Sequence, residues 1–294
     1  MDTHAIGAAG ISAAVSSQGA ELVSLRDGAG EELLWQAGPE WPRHAPVLFP
    51  IVGRLSGDIL RHDGRDYSLG QHGFARDRIF TWTERSAERA ALRLTDDAET
   101  RLSYPFPFIL DLVYAASERG LSVTTRVTNP GERALPCGVG AHPGFRWPLA
   151  DGLAKSDHVI TFETQERGQL RSVVGGLLAA PVPLPFDGRR LALSETLFQR
   201  DAMVMPDVAS RSLRYSGHDA DGRMVRALTV AWEGYKDLGI WSKPTTAPFL
   251  CIEPWYGMAS SVDWDGEFLE KPGILVLAPG ESRDFTWSVA IEAP

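Results

Sequence analysis

Apolar and polar positions alternate along much of this chain. Phe285, Trp287, Val289 and Ile291 interleave with Asp284, Thr286, Ser288 and Ala290. Leu121, Val123, Thr125 and Val127 interleave with Ser122, Thr124, Arg126 and Thr128, and Phe108, Leu110, Leu112 and Tyr114 make a third set. A period of two puts successive side chains on opposite faces, as in half-buried strands of antiparallel sheets. Turn signals punctuate these runs: Asn129-Pro130-Gly131, Ala278-Pro279-Gly280, Asp63-Gly64 and Asp187-Gly188. With 29 Gly and 20 Pro spread through the chain, long helices have little room; Ser194 to Arg200 reads as one short helix. Gly168 to Pro185, broken by Gly175, Gly176, Pro181, Pro183 and Pro185, reads as a long loop beside a site. The pattern predicts an all-β fold, a large antiparallel sandwich or barrel with few short helices. No repeat, low-complexity tract or composition shift marks a boundary. Residues 1–294 are expected to form a single domain, a length that all-β units approach.

Composition narrows the function. Hydrophobic residues make up 44% and charged residues 23%, as in ordinary globular proteins. A formal net charge of −9 argues against nucleic acid and anionic membranes as partners. Ala5 to Ala14 is apolar, but no Lys or Arg precedes Arg26, so a secretory n-region is missing. No apolar stretch approaches the ~20 residues that cross a bilayer. A cytoplasmic location is therefore expected. The two cysteines, Cys137 and Cys251, cannot build a disulfide framework and lie in no Cys-x-x-Cys; each reads as a small buried apolar residue.

Candidate chemistry sits in three polar islands. His142 lies within Cys137-Gly138-Val139-Gly140-Ala141-His142-Pro143-Gly144-Phe145, which has no other ionisable group but the thiol. Glu253 interrupts the apolar run from Ala247 to Tyr256. His72 and Arg76 lie in Leu69-Gly70-Gln71-His72-Gly73-Phe74-Ala75-Arg76. A lone histidine of this kind is more often a satisfied core residue, and a buried glutamate can be half of a structural ion pair. The conjunction of three points instead to one pocket, because perturbed carboxylates and imidazoles serve proton transfer near neutral pH. No His-x-x-His, acidic cluster of metal spacing or Gly-rich phosphate loop occurs, so neither metal nor nucleotide cofactor is expected. Trp241 and Trp255 adjoin these segments; tryptophan more often fills a core, but both are candidates for stacking on a ligand.

These segments resemble the galactose mutarotase-like (aldose 1-epimerase) superfamily, in its LacX-like and hexose-6-phosphate mutarotase-like branch. The matching strings run nearly end to end: Ser17 to Leu22, Pro46 to Leu55, His72-Gly73-Phe74-Ala75-Arg76, Gly140 to Phe145, Leu197 to Ala202, and Gly239 through Cys251-Ile252-Glu253-Pro254-Trp255. The resemblance implies a β-supersandwich, a cofactor-free cleft for a small sugar or sugar phosphate, and interconversion of α and β anomers. It also implies Glu253 as base, His142 as acid in protonated form, and Arg54, His72 and Asp201 as sugar-binding residues. Arg76 matches an arginine that helps hold phosphate. The expected assembly is a monomer or homodimer. Gly144 and Ser260 depart from the pattern, standing where relatives often carry an aromatic and an acidic residue; both bear on which sugar is bound. Two other functions compete. A non-catalytic sugar-binding sandwich would not need Glu253 and His142 together. A glycoside hydrolase normally needs two carboxylates, and Asp201, Asp263 and Asp265 are the only second candidates, in no paired motif.

Overall fold

The computed structural model describes residues 2–244 and 247–292. Among them the chain forms twenty-four strands and six 3₁₀ turns, the longest of four residues. Two antiparallel sheets dominate. The nine-stranded sheet runs, edge to edge, Arg190–Ala192, His158–Phe162, Ser212–His218, Met224–Glu233, Ser282–Glu292, Gly120–Thr128, Ile109–Ser117, Arg89–Thr95 and Thr81–Arg85. The three alternating sets seen in the sequence are neighbours at its centre, with Val123 opposite both Tyr114 and Trp287.

The eight-stranded sheet carries the order Leu177–Val182, Leu170–Val174, Met203–Met205, Asp237–Trp241, Phe249–Tyr256, Val139–Ala141 and Val47–Leu48. Its eighth strand, Gly144–Arg146, pairs with the opposite end of Phe249–Tyr256 from Val139–Ala141. One apolar core joins the two sheets: Leu110, Val123, Leu228 and Val289 from the first meet Leu238, Ile240, Leu250 and Ile252 from the second. Each such side chain contributes about 1.5–3 kcal/mol by leaving water.

The second sheet is covered on both faces, which explains why Phe249–Tyr256 reads as an unbroken apolar run. Leu250 and Ile252 point to the shared core, whereas Cys251 and Trp255 belong to separate clusters on the other side. Strand alternation puts Glu253 on that same outer face. Val204, Gly239 and Trp241 lie there too, between or beside core residues Met203, Met205, Leu238 and Ile240.

Two sequence expectations need correction. Gly168 to Pro185 is not a loop but a hairpin of Leu170–Val174 and Leu177–Val182, turned at Gly175 and Gly176 with φ of 61° and 83°. Two consecutive left-handed residues give a tight turn whose twist suits a hairpin. Pro181 and Pro183 disguised it, but an edge strand tolerates proline because it leaves backbone N–H groups unpaired. The short helix at Ser194 to Arg200 shrinks to a 3₁₀ turn, Glu195–Phe198.

Candidate active site

Backbone register brings His142 to Glu253. Gly140 pairs with Trp255 on one side, and Gly144 pairs with Cys251 on the other. Continuing that register across the break in pairing sets His142 directly opposite Glu253, and the Ile252 amide donates to the Pro143 carbonyl at 3.3 Å in the same frame. His142 Nε2 and Glu253 Oε2 are 3.0 Å apart. The contact is close but not aligned as a hydrogen bond, since Oε2 and His142 Nδ1 both lack a well-oriented partner. Both side chains are buried, Glu253 at 1% exposure.

Glycines make room for this arrangement. A Cβ on Gly239 would stand 2.3 Å from the Trp255 ring, and one on Gly140 would stand 2.6 Å from it. Trp255 therefore lies flat over neighbouring strands and borders the cleft. A Cβ on Gly144 would meet the ring of Trp41 at 2.8 Å. Trp41 comes from a distant loop that is tied down at both ends. The Trp35 indole N–H donates to the Trp41 carbonyl at 2.7 Å, and the His44 amide donates to Glu21 at 2.7 Å. Its ring stacks on His142 at 4.9 Å and 29°, with Trp241 edge-on to the imidazole at 5.8 Å. Gly144 is thus the small residue that admits an aromatic delivered from elsewhere. Sequence reading missed Trp41, which sits in a Pro-flanked segment with no titratable motif.

The other expected residues divide. His72, Arg76 and Asp201 line one cleft with His142 and Glu253, a cavity of about 340 Å³ that also receives Gln71 and Trp241. That volume is at the small end for ligand pockets. His72 and Asp201 hold left-handed backbone, with φ of 65° and 70°, a conformation that non-glycine residues seldom adopt outside constrained positions. The Gly53 amide donates to His72 Nδ1 at 3.1 Å, so a neutral ring presents its N–H at Nε2. Asp201 accepts from the Ala202 amide at 2.8 Å. Arg54 stands apart at the rim. Asp58 takes its Nε at 2.6 Å and its Nη2 at 2.5 Å, and its stem faces Gly176. The guanidinium is therefore engaged before any sugar arrives. Ser260 is buried just beyond the cleft, donating its amide to the Arg54 carbonyl at 2.8 Å.

Electrostatics are unusual at four groups, among them His72, whose imidazole is held well below the ordinary histidine range by burial and then by the His142 charge. Burial, then the charge of Asp201, pushes Glu253 well above the ordinary carboxylate range, with the Trp255 indole N–H acting the other way. Burial, then the Arg76 charge, pushes His142 down to about 3. The two shifts run in the directions that favour a neutral imidazole beside a protonated carboxyl. Arg76 itself is brought down to about 10, chiefly by burial and then by Arg43. Its Nη2 donates to the Gln71 carbonyl at 2.8 Å and its buried Nε has no partner. Asp77 lies 3.9 Å from Arg76 but 2.7 Å from Arg43, and so neutralises the latter.

A buried His142–Glu253 contact, walled by aromatic rings on a β-sandwich, is the setting in which relatives become informative. The sequence matches the family described as Aldose 1-epimerase over residues 2–282. The chain belongs to the aldose 1-epimerase family. It falls in that family's LacX-like branch, being 31% identical over 285 residues to the chromosomal protein LacX of Lactococcus lactis, covering 93% of this chain and 94% of that one. A galactose mutarotase related enzyme from Lactobacillus acidophilus superposes with a TM-score of 0.91 at 32% identity, covering 99% of this chain and 98% of the other. A galactose mutarotase-like protein from Lactobacillus casei gives 0.89 at 27% identity, covering 99% and 100%. Family membership makes this aldose 1-epimerase homologue an isomerase-type enzyme with a sugar-binding cleft. Among the described residues no helix is long and apolar enough to cross a membrane.

Proposed function

We propose that the protein interconverts the α and β anomers of an aldohexose or a C6-charged hexose by opening and reclosing the pyranose ring. The observation that carries this reading is the buried His142–Glu253 pair at 3.0 Å, facing a cleft of sugar-sized reach. Ring opening needs a base for the C1 hydroxyl proton and an acid for the ring oxygen. The pair holds one mobile proton. With that proton on His142, Glu253 is a carboxylate and the two groups are ready for complementary transfers. Moving it from Glu253 to His142 changes no net charge, and the Trp41 face favours the imidazolium by cation–π attraction. Sugar hydroxyls entering the cleft solvate the carboxylate that burial alone disfavours. After rotation about C1–C2 the roles reverse and the ring closes on its other face. His72 and Asp201 offer a donor and an acceptor to ring hydroxyls.

Arg76 supports an anionic substituent at C6. Its charge is poorly compensated, and its buried Nε–H awaits an acceptor. Charge-assisted hydrogen bonds to phosphate or sulfonate are roughly twice as strong as neutral ones. The decisive experiment is anomer exchange across free, phosphorylated and sulfonated aldoses, with wild type and three variants. Glu253→Gln and His142→Asn should each lose ~10²–10⁴-fold while remaining folded. Near-native exchange in folded Glu253→Gln sinks the assignment. Arg76→Ala should weaken anionic sugars far more than neutral ones, and added salt should act in the same direction. Equal fractional loss toward glucose and glucose 6-phosphate rejects the anion-binding role.

A further inference from the structure

The sequence has no run of metal-ligand spacing, yet the fold gathers three metal-type donors on the outer face of the second sheet. Cys251 and Glu253 are two residues apart on one strand and share a face, and register puts His142 opposite Glu253. One donor atom from each of His142, Cys251 and Glu253 lies within 4.8 Å of the other two. All three side chains are buried, and His142 Nδ1 and Glu253 Oε2 are without hydrogen-bond partners. Cys251 lies outside the cleft wall, in the cluster with Ala247 and Phe249 beneath Trp41 and Trp241. It has no part in the proton transfers above.

Zinc binds nitrogen and oxygen at about 2.0–2.2 Å and thiolate at about 2.3 Å, so neighbouring donors of a tetrahedral site stand roughly 3.3–3.7 Å apart. The imidazole and carboxylate are already near that separation at 3.0 Å. Charge also fits. One thiolate and one carboxylate cancel a divalent ion, leaving a neutral complex that a buried face tolerates. Asp201, close enough to act on Glu253, favours the cation, whereas Arg76 opposes it. Sulfur and imidazole select zinc-class ions over Mg²⁺ or Ca²⁺, which prefer oxygen.

We infer that His142, Cys251 and Glu253 form a site for one zinc-class divalent cation, which shuts the cleft by occupying acid and base together. On binding, the Cys251 thiol and the Glu253 carboxyl release their protons to solvent as Zn–S and Zn–O bonds form. Neutral His142 supplies nitrogen, and a water takes the fourth position toward the cleft.

The test uses the whole protein. Zn²⁺ should inhibit anomer exchange and a chelator should restore it, while Mg²⁺ at the same concentration does nothing. Cys251→Ala should keep basal exchange but raise the half-inhibitory Zn²⁺ concentration by at least the roughly 10–100-fold that loss of an outer-shell partner costs a metal site. Co²⁺ added to wild type should give a sulfur-to-cobalt charge-transfer band in the near ultraviolet, absent from Cys251→Ala and carried at altered energy or lost in Cys251→Ser. Unchanged zinc sensitivity in the alanine variant, or no band in wild type, overturns the site. The inhibition arm rests on the proposed exchange activity and the cobalt arm does not. A band without measurable exchange therefore rejects the activity and keeps the site. Should Cys251→Ala fail to fold, the wild-type spectrum alone decides.

Discussion

At His142 and Glu253, burial acts on both members of a pair that holds one proton. Adding a second proton means charging His142, which burial and Arg76 hold down to about 3. Removing the last one means ionising Glu253 beside a neutral ring, which burial and Asp201 oppose. The lower limit moves down and the upper limit moves up, which widens the pH range of the singly protonated pair. A solvent-exposed imidazole acid would instead lose its proton near 6.5, and the rate would fall above that pH. The anomer-exchange kcat is expected to show no inflection near 6.5, the value of a free histidine. An inflection near 6.5 with loss on the alkaline side would mean that His142 titrates as a free histidine. Both residues were legible in the sequence because each interrupts an apolar run. Trp41 was not, because nothing local distinguishes a tryptophan that stacks on a buried imidazole from one that fills a core.

At the scale of elements, the site depends on glycines that let one aromatic lie across three strands. Gly239 has ordinary backbone, so only space restricts it, and an added Cβ would stand 2.3 Å from the Trp255 ring. Gly239→Ala should therefore destabilise the fold by about 1–3 kcal/mol, the usual cost of overpacking, and slow exchange by displacing a wall of the cleft. Gly70→Ala, with open space around its Cβ, serves as the neutral control. Equal urea midpoints for the two variants would show that the Trp255 ring moves aside without cost. The strands of the nine-stranded sheet could be read from alternation because their outer faces are polar. Phe249–Tyr256 could not be assigned faces from sequence, because both of its sides are covered.

For the whole molecule, keeping Glu253 buried costs stability, and linkage gives the sign. Its folded pKa is raised above the usual 4.5. Below that value both states hold the proton and the cost is absent. As pH rises through 4.5 the unfolded chain releases its proton while the folded chain keeps it, so wild-type stability falls until the folded pKa is passed. Glu253→Gln removes this titration and leaves an amide that can donate to His142. The variant should melt above wild type at pH 7, with the gap closing toward pH 4. A variant less stable than wild type by a pH-independent margin would mean that the carboxylate contributes to folding. Arg76, a half-buried cation brought down to about 10 in a chain of net charge −9, carries a cost of the opposite pH sign, which fades as pH rises above that value. Overall charge did not foretell a cationic corner.

Fold class was legible in the chain alone, since period-two alternation and closely spaced turns suit only sheets. His142, Glu253, His72 and Arg76 also stood out there, because an ionisable group in an apolar segment advertises itself. How they combine was left to long-range packing. Register across two interrupted strand pairings set His142 opposite Glu253, and Asp58 drew the Arg54 guanidinium to the rim. Cys251, which reads as a small apolar residue, came within 4.8 Å of both catalytic candidates. Those outcomes rest on contacts between segments tens to hundreds of residues apart. Local patterning records which face a side chain prefers but not which distant side chain it will meet there.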